Sequence, residues 1–184
     1  VDFDLQIVFV AGEDLPDILQ EAAQQHGVTI PCNLSAAEML VTAAPAELGE
    51  HTKSLAAAAK ILNRVGITWT MHSAGFDASN IGFNNGDLAL QERLTRAIID
   101  TSVQIGAKTV LLPECGHAYT ALRWMGANMY GEPLPFKVQH IAEFLAAQAR
   151  AAALGTGAHV AQLGELLAHG DRIGLPVAAL VVRD

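Results

Sequence analysis

Between Met39 and Leu112, short apolar runs alternate with amphipathic stripes, and a glycine closes each stripe just before the next run. The runs are 38–43, 67–71 and 108–112. Leu55, Ala59, Leu62 and Val65 recur at helical spacing and stop at Gly66. Leu90, Leu94, Ala97 or Ile98, and Ile105 form a longer stripe facing the core, which stops at Gly106. Strands separated by whole helices cannot be hairpin partners, so the pattern predicts a parallel sheet with crossover helices. The expected fold class is α/β, a Rossmann-like three-layer domain.

Upstream, 4–10 reads as a strand. Asp14 offers an N-cap and Pro16 stands in the first turn of a helix carrying Leu15, Ile18, Leu19 and Ala22 to Gly27. Downstream, Val138, Ile141, Leu145 and Ala149 predict a helix from about Val138 to Ala152. A short helix near Gln162 to Ala168 and an apolar strand candidate, Val177 to Val182, follow. The expected organisation is 1–34 as an N-terminal strand–helix segment, 35–152 as the α/β domain, and 153–184 as a connection toward something further.

Of 184 residues, 51% are hydrophobic and 16% charged, which excludes a disordered or coiled-coil chain. Eleven Lys+Arg against 19 Asp+Glu leave a net charge of −8. A chain that must neutralise phosphates would not carry that balance, so nucleic acid is excluded as the expected partner. The only cysteines are Cys32 and Cys115, too few for a disulfide scaffold, and a reducing compartment is expected. No signal-peptide pattern opens the chain, and no apolar stretch nears the ~18 residues of a membrane span. The expectation is a cytoplasmic protein, or one held at the cytoplasmic face of a membrane through a partner.

In open parallel sheets ligands bind beyond the carboxyl ends of the strands. Those ends fall here at Thr42–Pro45, His72–Phe76 and Leu112–Cys115. The third places Glu114, Cys115 and His117 where a strand turns into a helix. There the positive end of the helix dipole lowers a thiol pKa, and His117 is placed to supply a proton. The alternative is a structural cysteine behind a turn. The Asn/Gly/Asp-rich segment 75–87 reads either as a rim loop with Phe76, Asp77 and Asn80 facing the pocket, or as an ordered turn. Arg123 and Trp124 read either as a dock for a flat or anionic group, or as a packed aromatic turn. Cys32 lacks partners at metal-ligand spacing and reads as structural. No two histidines lie at i, i+4, and no phosphate loop, dinucleotide fingerprint or G-x-S-x-G occurs.

One stretch runs Pro113-Glu114-Cys115-Gly116-His117-Ala118-Tyr119, continues through Ala121-Leu122-Arg123-Trp124 and reaches Gly131-Glu132-Pro133-Leu134-Pro135-Phe136. Together with Trp69-Thr70 and Phe76-Asp77-Ala78-Ser79-Asn80-Ile81-Gly82, it resembles the cysteine-rich (CCG) domain of heterodisulfide-reductase-like iron–sulfur proteins. The resemblance runs from about Leu5 to Ala147. It points to the branch that includes iron–sulfur subunits of sulfite-metabolism membrane complexes and of dimethylglycine catabolism.

The resemblance implies an electron-transfer or disulfide-reductase-like oxidoreductase subunit, in a family with a ferredoxin-like domain and two CCG repeats. A full repeat holds a noncubane 4Fe–4S cluster through a cysteine at the first strand end, a Cys-Cys pair at the second and a C-x-x-C at the third. Those positions fall here near Thr42, at Ser73-Ala74, and at Leu112 and Cys115, and only Cys115 keeps sulfur. A cluster generally takes four cysteines. The chain therefore resembles a degenerate first repeat, half of a two-repeat architecture, with no complete metal site of its own and Cys115 as the one retained candidate ligand. The 4Fe–4S clusters are expected in the full-length protein or complex.

The implied catalytic wall is Cys115, His117 and Glu114, with Phe76, Asp77, Asn80, Arg123 and Trp124 on the cavity rim. The implied partners are the remaining repeat, the ferredoxin-like domain, and a flavoprotein or a membrane quinone/cytochrome subunit. Two other readings stand beside this one: a cluster-free binding or assembly module, and a stand-alone thiol enzyme using Cys115.

Overall fold

A computed structural model describes residues 12–49, 51–78, 82, 85–113 and 116–153. The expected strands at 4–10 and 177–182, the helix at 162–168, and Glu114, Cys115 and Asn80 lie outside the described residues. The chain divides after His140 into two compact units.

The first unit is an α/β domain built on a four-stranded, all-parallel sheet. A single 3-10 turn, Gly12–Asp14, leads into α1, Leu15–His26. Asp14 occupies the N-cap position, yet its side chain makes no cap hydrogen bond. β1 is Met39–Val41, α2 Pro45–Gly49 and α3 Thr52–Val65. β2 is Trp69–Thr70, α4 Leu88–Gln104 and β3 Thr109–Leu112. One helical stretch then runs through α5 (Gly116–Thr120), a π-helical turn (Ala121–Met125) and α6 (Gly126–Tyr130) to β4, Lys137–His140. In the second unit the described element is α7, Ile141–Ala153. Among the described residues no helix is long and apolar enough to cross a membrane.

The strands lie in the order β2-β1-β3-β4. Met39 pairs with both Trp69 and Thr109, and Val110 pairs with Val138. Right-handed crossovers then dictate the layers. The step from β1 out to β2 puts α2 and α3 on one face. The return over β1 to β3 puts α4 on the other, and α5–α6 continue there. Side chains alternate accordingly. Leu40, Val110, Leu112 and Val138 join Ile98, Ile99, Ala118 and Leu122 in one core. Met39, Val41 and Leu111, all buried, turn to the opposite face.

On the α1/α3 side the expected stripes are realised: Leu15, Leu19, Leu55, Ala59 and Leu62 are buried. α3 ends at Gly66, whose φ of 76° is open to glycine at little cost. Trp69 is buried on β2 and donates its indole N–H to Asn63 Oδ1 at 2.8 Å. The outer side of β2 is covered by a segment from the amino-terminal third, where Cys32 pairs in parallel with Met71.

Two expectations are corrected. A helix from Val138 is replaced by β4, with α7 starting at Ile141. Polar Lys137-Val-Gln-His carries little intrinsic strand signal, and pairing with β3 decides its conformation while burying Phe136 and Val138. The long helix also sits rotated from its leucine stripe. Gln91, Thr95, Thr101 and Ser102 are buried beside Ile98, Ile99 and Ile105, while Leu90, Leu94 and Ala97 are half-buried. Hydrogen bonds make the polar face tolerable: Ser102 Oγ donates to Ile98 C=O at 2.7 Å, and Gln91 Nε2 donates to Met125 Sδ at 3.5 Å.

Candidate functional site at the carboxyl edge of the sheet

The chain leaves β1 in one direction and β3 in the other, which makes the gap between their carboxyl ends the topological switch point, where doubly wound sheets bind ligands. Thr42, fully buried, closes β1: its N–H and its Oγ1 both donate to Leu111 C=O, at 3.0 and 3.3 Å. Ala43 then pairs with Asp77, so the segment after β2 folds back beside the end of β1. Ala43 N–H donates to Phe76 C=O at 2.9 Å.

The exit from β2 is held by Asn33. Its Nδ2 donates to Ser73 Oγ at 3.0 Å and its Oδ1 accepts from Ser73 N–H at 2.8 Å. Asn33 itself stands at φ 56°, a left-handed conformation that asparagine tolerates better than most residues. His72 Nδ1 accepts from Ala74 N–H at 3.2 Å. Gly75 lies flat on α4, where a Cβ would come within 2.7 Å of Ala97 O.

Between this fold-back, α4 and α5 lies a cavity of about 10 Å³, lined by Asp77, Ala78, Leu94, Thr95, Ile98, Ala118 and Leu122. That is room for about one water molecule. Among the described residues it is far too small for an organic substrate.

Of the positions at which the resemblance expects cluster cysteines, Thr42, Ser73 and Leu112 lie at these strand ends, and each is built for another purpose. Thr42 is tied to Leu111, Ser73 is clasped by Asn33, and Leu112 is 1% exposed in the core. No group of three or more His, Cys, Asp or Glu able to hold a metal occurs among the described residues. With two cysteines in the whole sequence, this chain does not fit a 4Fe–4S cluster.

Of the expected site residues, His117 is exposed in the first turn of α5, and Asp77 is half-buried at the cavity. Phe76 is corrected from rim to core, being 5% exposed, because the fold-back beside Ala43 turns it inward. Arg123 is exposed on the π-helical turn. Its NH1 donates to Val138 C=O at 2.7 Å and its guanidinium lies 5.6 Å from the Tyr119 ring centroid, which ties one side of the group to protein. Trp124 is 69% exposed. The π-helical turn keeps Ala121 and Leu122 inside while presenting Arg123 and Trp124 outward, and such turns recur at functional positions.

Sequence reasoning missed Glu47 and Asn33. Glu47 is 3% exposed, and its Oε2 accepts from Ala44 N–H at 2.9 Å. The signal was present, since Ala44-Pro45-Ala46-Glu47 has proline at the first helical position and a glutamate placed to reach back to the cap. Asn33 carried none, because its partner is 40 residues away. Cys32 is half-buried, and burial pushes its thiol pKa up, the opposite of an activated nucleophile. Comparison with family models, with curated proteins and with solved structures finds no match to this chain.

Proposed function

We propose that this chain is the cluster-poor half of an electron-transfer or disulfide-reductase-like oxidoreductase, lining the substrate cavity or the interface with a cluster-bearing partner. The observation that carries this reading is the convergence of three strand ends on one edge, with His117 exposed where β3 passes into helix. The motif Glu114-Cys115-Gly116-His117 supplies the chemistry. A Cys115 thiolate attacks a disulfide sulfur, a mixed disulfide forms, and the leaving sulfur takes a proton from His117. The 4Fe–4S clusters of this reading belong to the rest of the protein or to partner subunits, with a flavoprotein or membrane quinone/cytochrome subunit completing the chain of electron carriers.

The test has two parts. Iron and sulfide analysis of this chain alone should give none, and the intact assembly should be brown. Cys115→Ser in that assembly should abolish turnover while leaving its iron content and visible absorbance unchanged. Unchanged turnover removes the catalytic role of Cys115, and iron held stoichiometrically by residues 1–184 removes the cluster-poor assignment.

A second reading, a cluster-free assembly module, draws on the exposure of Trp124 and Leu88, at 69% and 68%. It predicts that Trp124→Ala weakens association with a redox partner while Cys115→Ser leaves association intact. The stand-alone thiol enzyme requires a Cys115 thiol pKa well below the ~8.5 of free cysteine.

A further inference from the structure

Gln91 is 1% exposed, and its side-chain amide meets a sulfur: Nε2 donates to Met125 Sδ at 3.5 Å. The thioether has no proton to give, so the amide presents its N–H rather than its oxygen. Sulfur of this kind accepts hydrogen bonds weakly, and an amide kept from water is only partly compensated by it. Met125 itself is half-buried, at the end of the π-helical turn and next to the exposed Trp124. Solvent therefore reaches a side chain at which a buried N–H is already aimed.

The other methionines are placed differently. Met39 and Met71, at 4% and 0% exposed, are sealed in the interior. Met129 is half-buried, but it is engaged through its main-chain carbonyl, which accepts from Arg96 NH2 at 2.6 Å.

We propose that Met125 is an oxidation site for hydrogen peroxide, and that Gln91 receives the oxygen it acquires. The sulfur lone pair attacks one peroxide oxygen, an S–O bond forms and the O–O bond breaks. The departing hydroxide takes the proton of the transferred hydroxyl and leaves as water. Sulfur is oxidised to the sulfoxide and the peroxide is reduced. Such oxidation ordinarily places a polar group among apolar neighbours and loosens the fold. Here it creates a strong acceptor beside an N–H that had only a weak one, and the fold keeps its stability. The proposal uses none of the residues of the redox reading above.

The test uses the whole chain, treated with hydrogen peroxide, mapped by peptide mass spectrometry and then unfolded in urea. Met125 should take up oxygen while Met39 and Met71 stay reduced. Met125→Leu, a change of similar volume, subtracts what every other sulfur contributes. After that subtraction, oxidation should leave the parent's midpoint unchanged or raised. In Gln91→Leu, which lacks the donor, oxidation should lower the midpoint by about 0.5 M, the low end for an unpaired polar atom because Met125 is only half-buried. Met125→Gln gives a second readout without oxidant, since its side-chain carbonyl offers Gln91 a comparable acceptor. Its midpoint should stay within about 0.3 M of the parent, and a larger fall overturns the proposal. A Met125 that stays reduced until the chain unfolds overturns it too, as does an oxidation shift that is the same in the parent and in Gln91→Leu.

Discussion

Replacing Asn33 tests whether the β2 exit is pinned as described. Two variants separate its two jobs. Asn33→Gly removes both hydrogen bonds to Ser73, at 3.0 and 2.8 Å, but leaves the left-handed φ of 56° easy to adopt. Each bond is exposed, so each contributes at the low end, about 0.5 kcal/mol. Glycine adds about 0.5 kcal/mol through its freer unfolded chain. The sum is about 1.5 kcal/mol. Asn33→Ala loses the same two bonds and also the short polar side chain that makes left-handed backbone tolerable to asparagine, costing about 1 kcal/mol more, or about 2 kcal/mol in total.

In urea, with a slope of about 2 kcal/mol/M for a chain of this size, the midpoint should fall by about 0.7 M for glycine and about 1 M for alanine. The slope itself should stay unchanged. Ser73→Ala, which spares the N–H···Oδ1 bond, should cost about 0.5 kcal/mol. The reasoning fails if alanine is no worse than glycine. It fails equally if both midpoints stay within about 0.3 M of the parent, which would make the clasp energetically idle.

Other outcomes follow from the same geometry. Gly75→Ala drives a Cβ to 2.6 Å from Thr101 Oγ1 and 2.7 Å from Ala97 O, and should destabilise by about 1–3 kcal/mol in thermal melts. Thr101→Ser beside it should not rescue the fold, because the Ala97 carbonyl cannot move without unwinding α4. Leu62→Ala, at a fully buried position on α3, should cost about 2–5 kcal/mol by chemical denaturation. In a Cys115→Ser background, the pH profile of iodoacetamide reaction at Cys32 should have its midpoint above the ~8.5 of free cysteine, because burial favours the neutral thiol. A midpoint at or below that value would mean that Cys32 is not desolvated as the structure has it.

The sheet was legible in the sequence wherever local signals agreed. Apolar runs at Met39–Val41 and Thr109–Leu112, and helices closed by Gly27, Gly66 and Gly106, all appear where pattern and stop signal coincide. β4 was not legible, because Lys137 and Gln139 give no strand signature and the conformation is set by β3, some 28 residues earlier in register. The face of α4 follows for a related reason from a contact that leucine spacing cannot show: the Gly75 backbone packs directly on Thr101 and Ala97.

At the candidate site, topology placed the right strand ends on one edge, and the chemistry of individual side chains followed contacts that spacing cannot encode. Phe76 was drawn inward by the pairing of Ala43 with Asp77. Arg123 was taken by a carbonyl 15 residues ahead.

The chain's two indoles stand in opposite surroundings, Trp69 sealed and hydrogen-bonded to Asn63, Trp124 bare to water. Their fluorescence therefore divides into two independent channels. Unfolding wets Trp69 and reddens its emission, whereas anything that settles on the π-helical turn dries Trp124 and blues it. With Trp124→Phe and Trp69→Phe as single-indole versions, a titration with a candidate partner can be read without any label, and association is told apart from melting by the direction of the colour change alone.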